Sequence, residues 1–274
     1  MQKMHDVMRI NSWRAARVAR RPVLMAALAW TLVGPWIALA QTQPRIKIAA
    51  ASNLKFVLAD LKSLFQQQTG IQVDVNLGAS GNLTRQILQG LPVEQFISAD
   101  EDRVAELFKA GRTLDAGQRY ATGRLALIVP LNSALPLAQG LAAVVRGLKP
   151  GDKFAIANPA LAPYGVAAEE ALQRSGVGPL AAWQKVLGDN AGQATQFVAT
   201  GAAQAGITAL ALAMVPEMAN KLQVLALPEN LHAPLHQRMV LLQGASPAAQ
   251  SWQRFLGSPQ AQAVFVRHGY ALPQ

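Results

Sequence analysis

The sequence predicts an α/β protein with two lobes, and three observations lead to this prediction. Short apolar or β-branched runs alternate with longer helical runs, which is typical of mainly parallel sheets covered by helices. The chain has 274 residues, enough for two lobes of about 100 to 150 residues each after loss of a leader. It contains no cysteine, so the fold must be held by its apolar core rather than by disulfides.

The first forty residues have the pattern of a cleavable export signal. Arg14–Arg21 contains four arginines, Pro22–Leu39 is almost wholly apolar, and the small-x-small triplet Ala38–Ala40 precedes polar residues. An apolar run of this length could also stay as a membrane anchor. Gly34-Pro35 interrupts the run and favours cleavage after Ala40, so we expect a periplasmic protein, exported by either the Sec or the twin-arginine route.

Removal of the leader changes the charge of the chain. The leader holds six of the 25 Lys and Arg residues and one of the 15 Asp and Glu residues, which leaves 19 basic and 14 acidic side chains. The net charge therefore falls from +10 to about +5. No remaining segment shows the dense basic clustering with interleaved aromatics that nucleic-acid binding requires, so we do not expect a nucleic-acid partner.

The elements of the first half follow from apolar periodicity and from helix stops. Gly70 and Gly111 each follow an amphipathic run, as expected of glycines that end helices. In order, the predicted elements are strand Ile46–Ala50, helix Leu54–Gln68, strand Ile71–Leu77, helix Asn82–Gln89, strand Phe96–Ser98 and helix Glu101–Ala110.

The second half continues the alternation without a repeat of fixed period. The predicted elements are strands Arg124–Pro130 and Phe154–Ala157, helices Gly165–Arg174 and Ala181–Leu187, strands Ala205–Leu210, Leu222–Leu227 and Gln237–Leu242, and helices Pro247–Leu256 and Pro259–His268. Residues 194–199 fit either a helix or a strand. We expect residues 41–123 with 243–274 to form the first lobe and residues 124–242 to form the second.

Two polar turns lie where predicted strands are followed by helices. Ala51-Ser52-Asn53 follows the first strand, and Gly78–Asn82 follows the second. A helix start presents unpaired backbone N–H groups and a partial positive charge, so two such turns facing one cleft could bind an oxyanion. The alternative interpretation is that Ser52 and Ser80 are ordinary N-caps.

Two further turns have the same position before a helical run. In Asn158–Gly165, Pro163 and Gly165 restrict the backbone around Tyr164, so that its amide and hydroxyl could both be directed at a ligand. Asp189–Gln193 is the other turn. Either segment could also be a purely structural turn.

Together these segments resemble the periplasmic molybdate-binding proteins of ABC importers, the ModA family, over essentially the whole mature chain. The resemblance rests on Ala49–Asn53, Leu77–Leu83 with Gln86-Ile87, Phe96–Asp100, Asn158-Pro159 with Ala162–Gly165, Phe197–Gly201 with Gly206, and Phe265–Tyr270.

The resemblance implies a type II clamshell binding protein, whose two α/β lobes contain mixed, mainly parallel sheets and close on one tetrahedral dianion. The implied ligand is molybdate or tungstate, with no cofactor, no bare metal cation and no enzymatic activity. The implied donors are Ser52, Asn53, Ser80, Tyr164 and Ala191.

The sequence departs from the family pattern at two places. Ala209 stands where many members have a ligand-contacting tyrosine, so the hydroxyl or amide of Tyr164 is expected to take that role. Glu94-Gln95 stands where an aspartate is more common.

The resemblance also implies partners, namely ABC permease subunits in the inner membrane. The ATPase must be a separate subunit, because the chain has no Walker-type glycine loop, and we expect a monomer. One alternative is a binding protein for sulfate or phosphate. Another is an exported serine hydrolase built on Ser80, although Asn82 breaks the Gly-x-Ser-x-Gly spacing. His232 and His236 are expected on the surface, because Pro234 between them favours a loop.

Overall fold

A computed structural model describes residues 44–177 and 184–273. These residues belong to one compact unit, Thr42–Gln274. Within them the chain forms two five-stranded sheets flanked by helices, which confirms the predicted α/β class with two mixed sheets. The predicted export signal and residues 181–183 of a predicted helix lie outside the described residues.

The strands alternate with helices along most of the described chain. In order, they are β1 (Arg45–Ala51), β2 (Gln72–Gly78), β3 (Gln95–Ile97), β4 (Gln118–Gly123), β5 (Leu125–Pro130), β6 (Phe154–Ala157), β7 (Lys185–Gly188), β8 (Ala205–Ala209), β9 (Leu222–Ala226) and β10 (Leu235–Leu241). The first sheet has the order β2-β1-β3-β10-β4 and the second β7-β6-β8-β5-β9.

The helices pack on the faces of these sheets. In order, they are α1 (Lys55–Thr69), α2 (Ser80–Leu88), α3 (Asp102–Lys109), α4 (Leu141–Arg146), α5 (Pro163–Arg174), α6 (Ala191–Ala199), α7 (Leu210–Ala213), α8 (Pro216–Ala219), α9 (Pro247–Leu256) and α10 (Pro259–Arg267). Single 3-10 turns occur at Ser52–Leu54, Leu137–Gln139 and Glu229–Leu231.

Each sheet contains one strand that runs against the others. In the first sheet β10 is antiparallel to β3 and β4, and in the second β5 is antiparallel to β8 and β9. Both strands follow directly from a strand of the other sheet, since β4 leads into β5 and β9 leads into β10. The two sheets are therefore joined by two crossovers, and in each sheet the antiparallel strand is the one that follows a crossover.

The position of β10 differs from the expected second lobe, which was to extend to residue 242. Its residues pair with the first sheet, for example Met239 with Ile97. The strand has alternating burial at its start, a pattern that suits either sheet, so the sequence did not indicate which sheet it joins.

The core of the first sheet contains an aromatic cluster. Trp252 is fully buried, with ring centroids 5.0 Å from Phe65 and 5.6 Å from Phe255. Phe65 comes from α1, which ends as predicted at Gly70, a left-handed residue whose N–H donates to the Gln66 carbonyl. Burial of these rings stabilises the packing of α1 and α9 against the sheet.

Some predicted elements differ from the structure. The helix predicted to reach Leu187 is wrong in its described part, because Lys185–Gly188 is a strand paired parallel to β6. The ambiguous residues 194–199 belong to α6. Among the elements that were not predicted are β4, whose first two residues are polar and exposed, and α4. Across residues 44–177 and 184–273, no helix combines the length and apolar character needed to span a bilayer.

Candidate functional site

The turn after β1 begins a helical segment with no side-chain cap. Its N-cap residue is Ala51, and Ser52 is the first residue of the 3-10 turn that leads into α1. Alanine is a poor N-cap because it has no oxygen to accept from the first-turn amides. The N-cap interpretation of Ser52 is therefore wrong, and the amides of this turn are left for another acceptor.

The turn after β2 has the same arrangement. Its N-cap is Ala79, again without a side-chain cap, and Ser80 is the first residue of α2. The N-cap interpretation of Ser80 is therefore also wrong. The Ser80 Oγ atom is buried and accepts a 3.0 Å hydrogen bond from the Ala99 N–H. A hydroxyl has one hydrogen to donate, so this bond fixes the oxygen and leaves its hydrogen for a ligand.

The second sheet contributes two more helix starts. α5 has Ala162 as an uncapped N-cap and Pro163 in its first turn, so the Tyr164 amide is one of its orphan donors. α6 is capped by Asn190, whose Oδ1 accepts from the Gln193 N–H at 3.1 Å. That cap satisfies the third amide of α6 and leaves the Ala191 and Gly192 amides.

These four helix starts contact one another across the two lobes. The Gly81 N–H of α2 donates a 3.0 Å hydrogen bond to the Leu161 carbonyl of the segment before α5. A Cβ placed on Gly192 would lie 3.9 Å from the Ser52 Cβ. Buried residues from both lobes pack here, in one cluster of Ala79, Ala157 and Ala162 and in another that includes Ala51, Ala99, Tyr164 and Ala191. The structure thus brings together the predicted residues from both lobes.

Asn53 lies beside Ser52, but its side chain points into a buried polar cluster. Its Nδ2 donates to Gln237 Oε1 at 3.1 Å and to the Tyr270 hydroxyl at 3.0 Å. A carboxamide has two N–H hydrogens, so both are already used. A ligand contact by Asn53 would therefore have to come from its backbone amide.

The Tyr164 hydroxyl lies in the same buried cluster, where it accepts a 2.9 Å hydrogen bond from Gln237 Nε2. Burial raises the pKa of Tyr164, and also those of Tyr120 and Tyr270, so these hydroxyls stay protonated. Ala209 is buried in the apolar cluster that holds Tyr164 and Ala191. The hydroxyl of Tyr164 is bound within the buried cluster, whereas its amide lies at the start of α5. The amide is therefore the group of Tyr164 that could take the role of the missing tyrosine.

An acidic group lies at one end of the interface between the lobes. Asp100 lines a cavity there with Arg103, Leu161 and Pro163. Burial raises the pKa of Asp100, while a 2.8 Å hydrogen bond from Ser98 Oγ opposes this shift. The neighbouring arginine offsets the negative charge that this carboxylate would present to an entering anion.

The histidines make contacts away from Ser80. His236 Nδ1 lies 3.3 Å from Thr122 Oγ1, and His268 Nε2 lies 2.9 Å from Asp60 Oδ2. His232 is buried, with Nδ1 2.7 Å from the Ala233 carbonyl, so its predicted surface position is wrong. The reason is that the β9–β10 crossover is held against α5, where Ala233 N–H donates to Glu170. The structure thus pairs none of these three imidazoles with Ser80 as a catalytic base would require.

Gln237 and Ala99 were not predicted as site residues, although both hydrogen-bond to predicted ones: Gln237 to Asn53 and Tyr164, and Ala99 to Ser80. A signal for Gln237 was present: it occupies the inward phase of β10, between the buried residues Leu235 and Met239. A polar residue at such a position must find buried partners. For Ala99 no comparable signal exists, because its contribution is a backbone N–H.

Comparison with known proteins agrees with this geometry. The sequence profile of the family described as bacterial extracellular solute-binding protein matches residues 46–271. The chain is 33% identical over 240 residues to the molybdate-binding protein ModA of Azotobacter vinelandii, covering 86% of this chain and 93% of that protein. It is 34% identical over 238 residues to ModA of Rhodobacter capsulatus, covering 85% and 91%.

A solved structure shows the same fold. The Azotobacter vinelandii periplasmic molybdate-binding protein matches with a TM-score of 0.76 and 31% identity, over 84% of this chain and 100% of that one. The chain therefore belongs to the bacterial extracellular solute-binding proteins, a family of binding proteins rather than enzymes, and within it to the ModA group.

Proposed function

We propose that the protein captures molybdate or tungstate between its two lobes and delivers it to an ABC importer. The observation that carries this proposal is the meeting of uncapped helix starts from both lobes, at Ala51, Ala79 and Ala162, with the hydroxyl of Ser80 held ready to donate. The names of the ModA relatives supply the identity of the anion.

The proposed contacts are hydroxyls and backbone amides. Ser52 and Ser80 contribute hydroxyls, and Asn53, Tyr164 and Ala191 contribute N–H groups. A buried dianion is costly unless several donors replace its hydration. Amides at helix starts supply such donors together with the positive end of the helix dipole, and no cation or metal has to be bound with the ligand.

Size is the proposed basis for choosing among anions. Molybdate, tungstate and sulfate share charge and tetrahedral shape, but sulfate has shorter bonds. Donors placed for the larger anions would therefore form overlong hydrogen bonds to sulfate. A binding protein for sulfate or phosphate is the alternative that keeps the same site.

The transport role follows from the position of the site between the lobes. An anion that contacts both lobes stabilises their closed arrangement, which a membrane permease can distinguish from an open one. We propose permease subunits and a separate ATPase as partners, export by the N-terminal segment, and a monomeric binding protein in the periplasm.

A thermal-shift screen followed by calorimetry tests the proposal. The purified protein is mixed with molybdate, tungstate, sulfate, phosphate or chloride, in a buffer without phosphate. We expect molybdate and tungstate alone to raise the melting temperature, because a ligand that binds only the native state stabilises it. A shift with sulfate or phosphate of equal size would favour the alternative, and no shift with any anion would contradict both.

A further inference from the structure

The buried polar cluster behind the site contains every tyrosine of the chain. The sequence has three tyrosines, and Tyr120, Tyr164 and Tyr270 all lie within it together with Asn53 and Gln237. Each of these five side chains is buried. Buried polar groups of this kind are costly unless they are fully hydrogen-bonded, so their positions depend on one another.

Gln237 is the centre of this cluster. Its Oε1 accepts from Asn53 Nδ2 at 3.1 Å and lies 2.6 Å from the Tyr120 hydroxyl. Its Nε2 donates to the Tyr164 hydroxyl at 2.9 Å. The carboxamide therefore joins two groups of the first lobe to one residue of α5.

Through its hydrogen-bond partners, Gln237 is connected to three of the four helix starts. Asn53 follows Ser52 directly, and its carbonyl also accepts from the Tyr270 hydroxyl at 2.9 Å. The Tyr120 hydroxyl lies 2.9 Å from the Ser98 carbonyl. The next residue, Ala99, holds Ser80 Oγ through its N–H.

Tyr164 provides the third connection, because it lies in the first turn of α5. We infer that Gln237 is a positioning residue for anion binding: without contacting the anion, it sets the spacing of the donors at Ser52, Ser80 and Tyr164 across the two lobes. This inference rests on the proposed function. Loss of its carboxamide removes the acceptor of one Asn53 N–H and the donor to the Tyr164 hydroxyl, two buried groups next to helix starts.

The test compares Gln237→Met with Gln95→Met by calorimetry with molybdate. Methionine keeps the length of glutamine and removes its hydrogen-bonding groups. Gln95 is a matched control, because it is also fully buried in the first sheet but donates to Gln253 at 3.1 Å, away from the helix starts. We expect both variants to lower the melting temperature of the unliganded protein. We expect the Kd to rise at least about tenfold in Gln237→Met and less than about twofold in Gln95→Met.

A second variant covers the case in which Gln237→Met fails to fold. Tyr164→Phe keeps the ring and removes only the hydroxyl that receives the Gln237 bond, and we expect it to raise the Kd about threefold or more. In the double variant, the combined rise should be smaller than the product of the single rises, because both changes break one connection.

The outcomes separate this inference from the proposed function. If the unmodified protein binds molybdate and the Gln237→Met and Gln95→Met variants show equal Kd values, the positioning role is wrong while the function stands. A normal Kd in Tyr164→Phe would also overturn it. If the unmodified protein binds neither molybdate nor tungstate, the function and the positioning role both fall.

Discussion

Gly123 lies so close to Tyr164 that a Cβ on this glycine would stand 2.3 Å from the tyrosine hydroxyl oxygen. The same Cβ would stand 2.4 Å from Gln237 Nε2. Gly123 is the last residue of β4, where the chain crosses to the second sheet. The absence of a side chain at this position is therefore what allows α5 to approach the crossover.

The first prediction concerns this approach. Gly123→Ala should lower the free energy of unfolding by about 1–3 kcal/mol, the usual cost of overpacking a buried site, as measured by urea denaturation. Gly257→Ala is the control, because the nearest atom to its new Cβ would be 3.5 Å away. Adding Tyr164→Phe should reduce the cost of Gly123→Ala, since it removes the clashing oxygen. If Gly123→Ala costs as much in the Tyr164→Phe background, the Tyr164 hydroxyl is not the source of the clash.

The second prediction concerns the Ser80 hydroxyl. Ser80→Ala should weaken molybdate binding by about 10- to 100-fold, the range expected for one hydrogen bond to a charged group. The control is Ser63→Ala, which removes an exposed hydroxyl from α1. Calorimetry on both variants measures the effect. An unchanged affinity in Ser80→Ala would remove this residue from the proposed contacts.

The third prediction separates helix capping from anion binding. Asn190→Ala removes the cap of α6 and should cost about 1 kcal/mol of stability, and it should also weaken molybdate binding because the Ala191 amide lies in the same turn. Ser258→Ala removes the cap of α10, where Ser258 Oγ accepts from Ala261 N–H at 3.2 Å. It should cost a similar stability and leave the affinity unchanged. Equal effects of the two variants on binding would contradict the role of α6.

The fourth prediction concerns acid stability. Hydrogen bonds from Arg119 and then Arg238 lower the pKa of Glu101 from 4.5 to about 2. Because the pKa is lowered in the folded state, this carboxylate stabilises the protein above pH 4.5, and the contribution is lost as the pH falls towards about 2. The free energies of unfolding of the unmodified protein and of Glu101→Gln, measured by denaturation, should therefore differ at pH 7. This difference should shrink as the pH falls from 4.5 towards about 2. A constant difference down to pH 2 would contradict this assignment.

The fifth prediction concerns the pH dependence of binding. Hydroxyls and backbone amides do not titrate near neutrality, so the Kd for molybdate should change less than about threefold between pH 6 and 8. Calorimetry at several pH values measures this directly. A tenfold change would indicate that a titrating group, such as a histidine, contributes to the site.

Periodicity and helix stops were enough to predict most of the fold. The pairs β1–α1 and β2–α2 were predicted because short apolar runs are followed by helical ones, and Gly70 was recognised as the end of the first helix. The segment Lys185–Gly188 could not be recognised as a strand, since its pairing with β6 is a long-range contact. Tertiary pairing overrides local preference in such short segments.

The helix starts of the candidate site were predicted, but their hydrogen bonding was not. Ser52 and Ser80 were correctly placed at helix starts, yet only the backbone angles of Ala51 and Ala79 show that the N-cap lies one residue earlier. The side chain of Asn53 is turned away from the helix start by Gln237, a residue 184 positions later in the chain. Local sequence carries no information about such a partner.

The return of the chain to the first sheet at β10 has a consequence for the order in which the chain can fold. β10 lies between β3 and β4 in the first sheet, although some 110 residues separate it from β4 in sequence. While the ribosome is still making the second lobe, the first sheet therefore lacks the strand that joins β3 to β4, and β4 has no strand to pair with. Completion of this sheet must wait for residues near the end of the chain, so nascent protein stays incompletely folded during most of its synthesis.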